Sequence, residues 1–386
     1  MLRLFFFFTL CITLIFGIIP NMAHSLKVLP LEEKKDEFQK SLSINGRIQI
    51  RHEYNKLNIV DEEDSSFAVR RLRLSFSGYI YEGVFYYINF MGKRLIQGGS
   101  GIHSAYMRLE PSSLLFIQVG GYSIPWAREQ ALQSSGRLIF VDLTYASKKA
   151  DLTGDIGILL GGSIWDKKLK YWSGIFNGAG GFKDGANGWS GSRSSDIITN
   201  NYYDVLARIQ VDPLGNWSEG KMYFQKDLKL SVGASVYYSA QRDYSLALDG
   251  YYATEDFLGL TGDFAISWNR LFGEVGVYYL TAKANPAYGS LAAVDDFFSY
   301  YFKVGIFAYR NHIMIGLRWD VYEEQTAVPV EDTIKEGTLA LTWFIGGRQH
   351  AVKLNTEIAH QFVKDPGASN PNVNEIIWRS QLTMNF

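Results

Sequence analysis

The sequence alternates between apolar and polar residues in one stretch after another, and this period of two constrains the fold more than any other feature. In the last stretch, Asn374–Phe386, large side chains stand at almost every second position: Ile376, Trp378, Leu382, Met384 and Phe386. The positions between them are mostly polar: Arg379, Gln381, Thr383 and Asn385. Successive side chains of a β-strand point to opposite faces, so each such stretch predicts a strand with one apolar and one polar face.

Sixteen candidate strands follow from this pattern. They cover Ser41–Tyr54, Phe67–Tyr79, Val84–Met91, Gly101–Glu110, Ser113–Tyr122, Asp155–Ile164, Leu169–Asn177, Tyr203–Val211, Leu228–Tyr238, Phe257–Trp268, Phe272–Ala282, Phe298–Ala308, His312–Tyr322, Gly337–Ile345, His350–Phe362 and Asn374–Phe386. Beyond Ser25 no apolar run is long enough for a transmembrane helix. An even strand count, with 24 Tyr and 25 Phe, predicts an all-β transmembrane antiparallel barrel. Such a sheet must close, because unpaired edges are costly in lipid, and about 16 strands leave an aqueous channel.

The first 40 residues are predicted to lie outside this barrel. Residues 1–25 have the pattern of a signal peptide: Arg3 precedes a long apolar run, Pro20 ends it, and small residues allow cleavage after Ser25. An uncleaved N-terminal membrane helix is the alternative. Residues 26–40 form a short charged periplasmic segment, and residues 41–386 form the barrel. The single cysteine, Cys11, falls in the predicted signal peptide, so the mature chain has no disulfide or thiol chemistry.

The connections between predicted strands alternate in length. Short ones include Tyr79–Glu82, Pro111–Ser112, Trp165–Lys168, Asn269–Leu271, Tyr309–Asn311 and Gly346–Gln349; long ones include Asn55–Ser66, Ser123–Gly154, Gly178–Tyr202, Ser239–Asp256, Lys283–Phe297 and Glu323–Glu336. Short periplasmic turns with long extracellular loops are typical of outer-membrane barrels. The connection Asp212–Asp227 is an exception, since it is long at the short-turn end.

Several motifs, in their order along the chain, resemble the phosphate-selective porin O and P family of Gram-negative outer-membrane porins. Residues Phe67–Leu74, with Phe76 and Gly78, resemble its F-x-x-R-R-x-R-x-x-F-x-G strand, and Val119–Glu129 resembles V-G-x-x-x-x-P-[FW]-x-x-E. The terminal strand ending in Phe386 resembles the signal that the barrel assembly machinery reads. The resemblance implies a homotrimer, in which strand positions of low bulk such as Gly46 and Gly78 would suit subunit packing.

Four arginines are the first candidates for function. Arg or Lys on the lipid face costs about 2–4 kcal/mol at mid-depth, so Arg47, Arg51, Arg71 and Arg73 are expected to face the lumen on one wall. Two interpretations remain open. The arginines guide anions, because guanidinium groups bind phosphate and carboxylate well, or they merely pair with acids of a loop folded inside.

The loop Ser123–Gly154 is predicted to fold inward and narrow the channel, as the resemblance implies; an exposed lid is the alternative. It carries Arg128, Glu129 and Arg137, which could line the constriction, while Arg108 would lie lower. Further candidates for the lumen are Arg208, Lys229, Lys303, Arg318, Lys353 and Arg379. They are offset by Asp155, Asp263, Glu274, Asp320 and Glu357, so no continuous row of unpaired arginines is expected.

The sequence therefore predicts an outer-membrane porin for passive diffusion of small hydrophilic solutes, favouring anions such as phosphate. The expected partners are outer-membrane lipid and lipopolysaccharide, small anionic solutes and the assembly machinery, and the formal net charge of −1 does not suggest nucleic acid. No enzyme signature, catalytic residue, metal site or cofactor is expected. Two alternatives stay open: a secreted soluble β-rich glycan-binding or hydrolytic protein, and a barrel with an adhesive or structural role.

Overall fold

Each of the sixteen strands pairs with its neighbours in sequence. They are β1 Ser43–Leu57, β2 Glu63–Tyr81, β3 Val84–Met91, β4 Ile102–Ser112, β5 Leu115–Ser123, β6 Gly154–Ile164, β7 Leu169–Phe176, β8 Asp204–Val211, β9 Lys229–Leu246, β10 Tyr251–Trp268, β11 Leu271–Ala282, β12 Val294–Tyr309, β13 Ile313–Thr326, β14 Glu331–Ile345, β15 Val352–Lys364 and β16 Asn372–Asn385. All pairs are antiparallel, and β1 also pairs with β16, which closes the barrel. The predicted fold class is confirmed.

The computed structural model describes residues 40–57, 63–92, 101–150, 152, 154–177, 203–219, 222–224, 226–246, 251–282, 294–326, 331–345, 351–364 and 372–386. The predicted signal peptide and residues 26–39 lie outside these ranges. Within these ranges, the strands are accompanied by a π-helical turn Arg128–Leu132, helix α1 Tyr145–Lys149 and a 3₁₀ turn Met222–Phe224. Within the described ranges, none of the helices is long and apolar enough to span a membrane.

The barrel closes through the end of the chain. The Gly46 N–H donates to the Phe386 carbonyl oxygen at 2.6 Å, and the Phe386 N–H donates to the Gly46 carbonyl oxygen at 3.0 Å. The Phe386 ring covers Gly46, so that a Cβ there would lie 2.3 Å from the ring. A Cβ at Gly78 would lie 1.9 Å from the Ser41 carbonyl oxygen. The prediction that Gly46 and Gly78 leave room for subunit packing is therefore wrong, because this chain fills both positions.

The two faces of the wall differ as the alternation requires. Large apolar side chains are exposed on the outer face, for example Leu72, Leu74 and Ile358. The side chains that alternate with them are mostly polar and point inward, among them Arg71 and Arg73, which flank the outward Leu72. An apolar outer band around a polar interior is the arrangement of a transmembrane barrel.

Several strands are longer than the alternation predicts. The loop expected at Ser239–Asp256 is wrong over most of its length, because β9 continues to Leu246 and β10 begins at Tyr251. These extensions remain paired, with Tyr251 opposite Leu246. Beyond the apolar band both faces can be polar, so backbone pairing continues where the alternation no longer marks a strand.

Candidate functional site

A β-bulge in β2 places two consecutive arginines on the inner face. In the pairing with β1, Gln49 is opposite Arg71 while Ile50 is opposite Val69, so Arg70 has no cross-strand partner. An extra residue in one strand shifts the side-chain alternation by one position. Val69 and Leu72 are exposed outside, whereas the Arg70 and Arg71 side chains both reach Asp142 within the barrel. Alternation alone places Arg70 on the lipid face, so sequence analysis missed it.

Asp142, from the loop between β5 and β6, is the centre of a cationic cluster formed by Arg51, Arg70, Arg71 and Lys148. Its carboxylate lies 3.3 Å from the Arg51 guanidinium and 3.7 Å from those of Arg70 and Arg71. The Lys148 ammonium lies 3.4 Å from it. One carboxylate thus serves four cations, and Arg70 and Lys148 remain 39% and 36% exposed. The loop acid pairs with Arg51 and Arg71, as the pairing interpretation expects for these two arginines. Positive charge remains in excess around this one carboxylate, and anion guidance stays a prediction.

Charge also fixes the ionisation of Asp142. Burial opposes ionisation, but Lys148, Arg51, Arg70 and Arg71 together hold the pKa of this carboxyl well below its usual range. The group is therefore a permanent anion across the physiological range of pH.

Two more arginines extend the cluster along the wall. Arg47 and Arg73 are directly opposite each other on β1 and β2. The Arg47 guanidinium donates to the hydroxyls of Ser134 and Ser135 at 2.6 Å and 3.0 Å, and to the Asn385 side chain at 2.8 Å. These acceptors are neutral, so they orient the guanidinium without cancelling its charge.

Two predicted lining residues, Arg128 and Glu129, are buried anchors of the loop instead. Arg128 is 0% exposed and contacts Asp263 at 2.8 Å and Glu219 at 2.6 Å. Glu129 is 1% exposed and accepts from the Lys303 ammonium at 3.0 Å. The prediction that these two side chains meet solute is corrected, because both are buried and both charges have partners of opposite sign.

The other two predicted residues occupy different places. Arg137 is exposed on the loop beside Ser134, the carbonyl of which accepts its N–H at 2.7 Å. Arg108 lies near the short-turn end, where it donates to the Gln118 side chain at 2.7 Å and approaches Glu110 at 3.4 Å. Its guanidinium also lies 4.7 Å from the centre of the Phe116 ring.

Four of the six remaining lumen candidates pair with acids, whereas Lys229 and Lys353 donate to backbone carbonyls. Arg208 meets Asp263 at 2.6 Å, Lys303 meets Glu274 at 2.8 Å, and Arg379 meets Glu357 at 3.1 Å. Arg318 pairs with Glu336, while Lys353 donates to the Leu138 carbonyl oxygen. In these contacts most of the charges cancel. They support the expectation that no continuous row of unpaired arginines lines the barrel.

The inner faces of the two halves of the barrel therefore differ in exposure. Inward side chains of β9–β15 are buried against the 123–153 loop, including Ser231, Thr261, Asp263, Glu274, Lys303, Arg318, Thr338, Asn355 and Glu357. Several inward side chains of β1–β4 stay partly exposed, including Arg47, Arg71, Arg73, Ser75, Ser77, Tyr87, Tyr106 and Arg108. The open part of the interior lies along β1–β4, beside the cationic cluster.

Comparison with known proteins agrees with this architecture. The model of the family "Phosphate-selective porin O and P" matches residues 42–189, which confirms the resemblance seen in the motifs. No curated protein sequence matches the chain significantly.

Many solved structures match this chain, and three of them illustrate the shared barrel. The anion-selective porin from Comamonas acidovorans aligns with a TM-score of 0.56 at 12% identity, covering 90% of this chain and 100% of that one. The outer membrane channel DcaP of Acinetobacter baumannii gives 0.54 at 11% identity, covering 89% and 97%. OmpT of Vibrio cholerae in its trimer form gives 0.53 at 9% identity, covering 90% and 100%. The partial match to the porin family and the shared fold point to a channel rather than to an enzyme. The chain is a 16-stranded barrel of the porin fold whose residues 42–189 match the phosphate-selective porin O and P family.

Proposed function

We propose that this chain is an outer-membrane porin that lets small hydrophilic solutes diffuse passively and favours anions such as phosphate. The observation that carries the proposal is the cluster around Asp142, where Arg51, Arg70, Arg71 and Lys148 share one carboxylate. Cations in excess beside a low-dielectric wall create a positive potential that attracts anions. Guanidinium groups also match phosphate oxygens geometrically.

The position of the loop supports a constriction at this cluster. Leu138, Ile139, Phe140 and Val141 are all at most 3% exposed, and the Ile139 carbonyl accepts from Asn355 at 2.7 Å. The loop is thus bound to the wall formed by β15 and leaves the β1–β4 side open. A solute passing this level meets Arg70, Arg71 and Lys148, and their charges select it.

The setting of the channel is part of the same proposal. The apolar outer face fits outer-membrane lipid and lipopolysaccharide, after cleavage of a signal peptide near Ser25. A homotrimer is supported by the trimer form of OmpT, which shares the fold. Delivery by the barrel assembly machinery through Phe386 is consistent with the pairing of this residue to β1, which completes the barrel.

The test is single-channel recording in a planar bilayer, with a potassium chloride gradient and phosphate added to one side. We expect stable current steps, a reversal potential that favours anions, and block by phosphate. Arg71→Ala/Arg73→Ala should weaken the selectivity and the block. Cation-favouring steps would leave a porin and refute the anion preference. Absence of current from an inserted, folded chain would favour a plugged barrel with an adhesive or structural role.

A further inference from the structure

The connection between β8 and β9, residues 212–228, is long although it lies at the end of the barrel where turns are short. Part of the connection turns inward, since Trp217, Met222 and Tyr223 are at most 2% exposed, whereas Leu214 and Leu228 are each 45% exposed. Phe224 is partly buried against the same group. Three large apolar side chains of this connection are therefore buried, and a fourth is partly buried beside them.

These side chains pack against inward residues of the far wall. The Tyr223 ring meets Phe272 of β11 at 4.7 Å between centres, and Phe224 lies 5.2 Å from Phe344 of β14. The Ser267 hydroxyl of β10 donates to the Met222 carbonyl at 2.5 Å. The connection thus covers the inner face of β10–β14 from the short-turn end.

The connection also joins the 123–153 loop. The Glu219 carboxylate lies 2.6 Å from the Arg128 guanidinium, and the Cζ atom of that guanidinium lies 5.4 Å from the centre of the Trp217 ring. Ile139 and Phe140 of the loop belong to the same apolar cluster as Trp217, Met222 and Tyr223. One segment enters from each end, and the two meet in the interior.

Polar contacts hold the base of the connection. The Asp212 carboxylate accepts from the Trp217 N–H at 3.0 Å and from the Ser231 hydroxyl at 2.6 Å. The Lys170 ammonium reaches this carboxylate at 2.9 Å and the Trp217 carbonyl at 2.8 Å. Buried ionic groups that have partners on every side resist removal, because each lost partner leaves an uncompensated charge.

We infer that the 212–228 connection is a second internal plug, which determines specificity by closing the β10–β14 side of the interior to solutes. Passage is then confined to the β1–β4 wall, where every solute meets the Asp142 cluster. This inference rests on the proposed function for its consequence, but the plug itself can be tested without any current. Without the plug, a solute could pass at a distance from the cations, and the field that it meets would be weaker.

Two inward-facing serines in the short-turn half of the barrel provide a pair for the test. Ser77 on β2 faces the open side and is partly exposed, whereas Ser267 on β10 is 1% exposed beneath the connection. Ser→Cys is nearly isosteric, so both variants should fold. In chains that also carry Cys11→Ser, the folded barrel in detergent is treated with 2-sulfonatoethyl methanethiosulfonate, and mass spectrometry follows the labelling.

We expect Cys at Ser77→Cys to be labelled at least about tenfold faster than Cys at Ser267→Cys. Adding Trp217→Ala/Tyr223→Ala to Ser267→Cys should remove this protection. The same triple variant should show higher conductance and a reversal potential closer to zero. Comparable labelling of the two single variants, or protection that survives the double alanine change, would overturn the plug. Labelling as expected in a barrel that gives no current would instead refute the proposed channel function, and with it the role of the plug in selection.

Discussion

Replacing Asp142 by Asn should strengthen anion binding in the channel. The substitution keeps the shape of the side chain and removes one negative charge from among Arg51, Arg70, Arg71 and Lys148. The four cations then lack a shared counter-ion. Arg51 keeps Glu53 at 3.4 Å, while the more exposed Arg70 and Lys148 become available to a solute anion. The Asp142 carboxylate also repels that anion in the native chain, and this repulsion disappears.

The size of the effect follows from the distances. Carboxylate and guanidinium are 3.3–3.7 Å apart, so an anion bound on the far side at about 3 Å lies roughly 7 Å from Asp142. At that separation two unit charges repel by about 0.6 kcal/mol in bulk water and by about 2.4 kcal/mol at an effective dielectric constant of about 20. Phosphate binding should therefore tighten by about 3-fold to about 60-fold.

The assay is the phosphate concentration that halves the single-channel current, measured together with the reversal potential. Asp166→Asn is the matched control, because Asp166 is exposed in the β6–β7 turn with φ 55°, a conformation that Asn tolerates. We expect the half-blocking concentration to fall only in Asp142→Asn. An unchanged or weaker block, in a chain that still conducts, would refute the assignment of the cluster as the selective site.

Two further predictions follow from the structure. Lowering the pH from 7 to about 4 should not reproduce the effect of Asp142→Asn. The pKa of the Asp142 carboxyl lies well under the usual value near 3.9, so this carboxylate loses its charge only as the pH falls through that lower pKa. Titration of the half-blocking phosphate concentration, corrected for the protonation of phosphate, checks this, and a change near pH 5 would contradict it. Gly120→Ala should lower the free energy of unfolding by about 1–3 kcal/mol, measured by urea titration. The reason is that Gly120 has φ 133° and a Cβ would lie 2.3 Å from the Ala105 carbonyl oxygen. Gly262→Ala, with no atom within 4 Å of its Cβ, is the control, and equal losses would argue against local strain.

The strands were predictable because each faces lipid on one side and water on the other. That constraint acts locally, so it is visible in short windows such as Asn374–Phe386 without any knowledge of partners. Beyond the apolar band, lipid no longer requires apolar residues at alternate positions. The sequence therefore predicts loop where the strands extend to Leu246 and from Tyr251.

The sequence contains an indication of the bulge at Arg70, but alternation alone does not reveal it. Strict alternation places Arg70 toward lipid, where a charge costs about 2–4 kcal/mol at mid-depth. A chain avoids this cost by adding one residue to the strand, so Arg70-Arg71 between the outward Val69 and Leu72 implies a bulge. The sequence alone therefore shows the conflict between the alternation and the cost of an arginine that faces lipid.

The role of each lumen arginine was not predictable, because it depends on acids that are distant in sequence. Arg128 and Arg70 are both arginines inside the barrel, yet Asp263 and Glu219 neutralise Arg128 at 0% exposure. Arg70 shares Asp142 with three other cations and stays 39% exposed. A count of lumen arginines therefore does not measure anion selectivity. Selectivity depends on how much charge is left unpaired and on whether solute can reach it. In this barrel the 123–153 loop sets the unpaired charge by supplying Asp142, and the 212–228 connection limits access by covering the side where charges cancel.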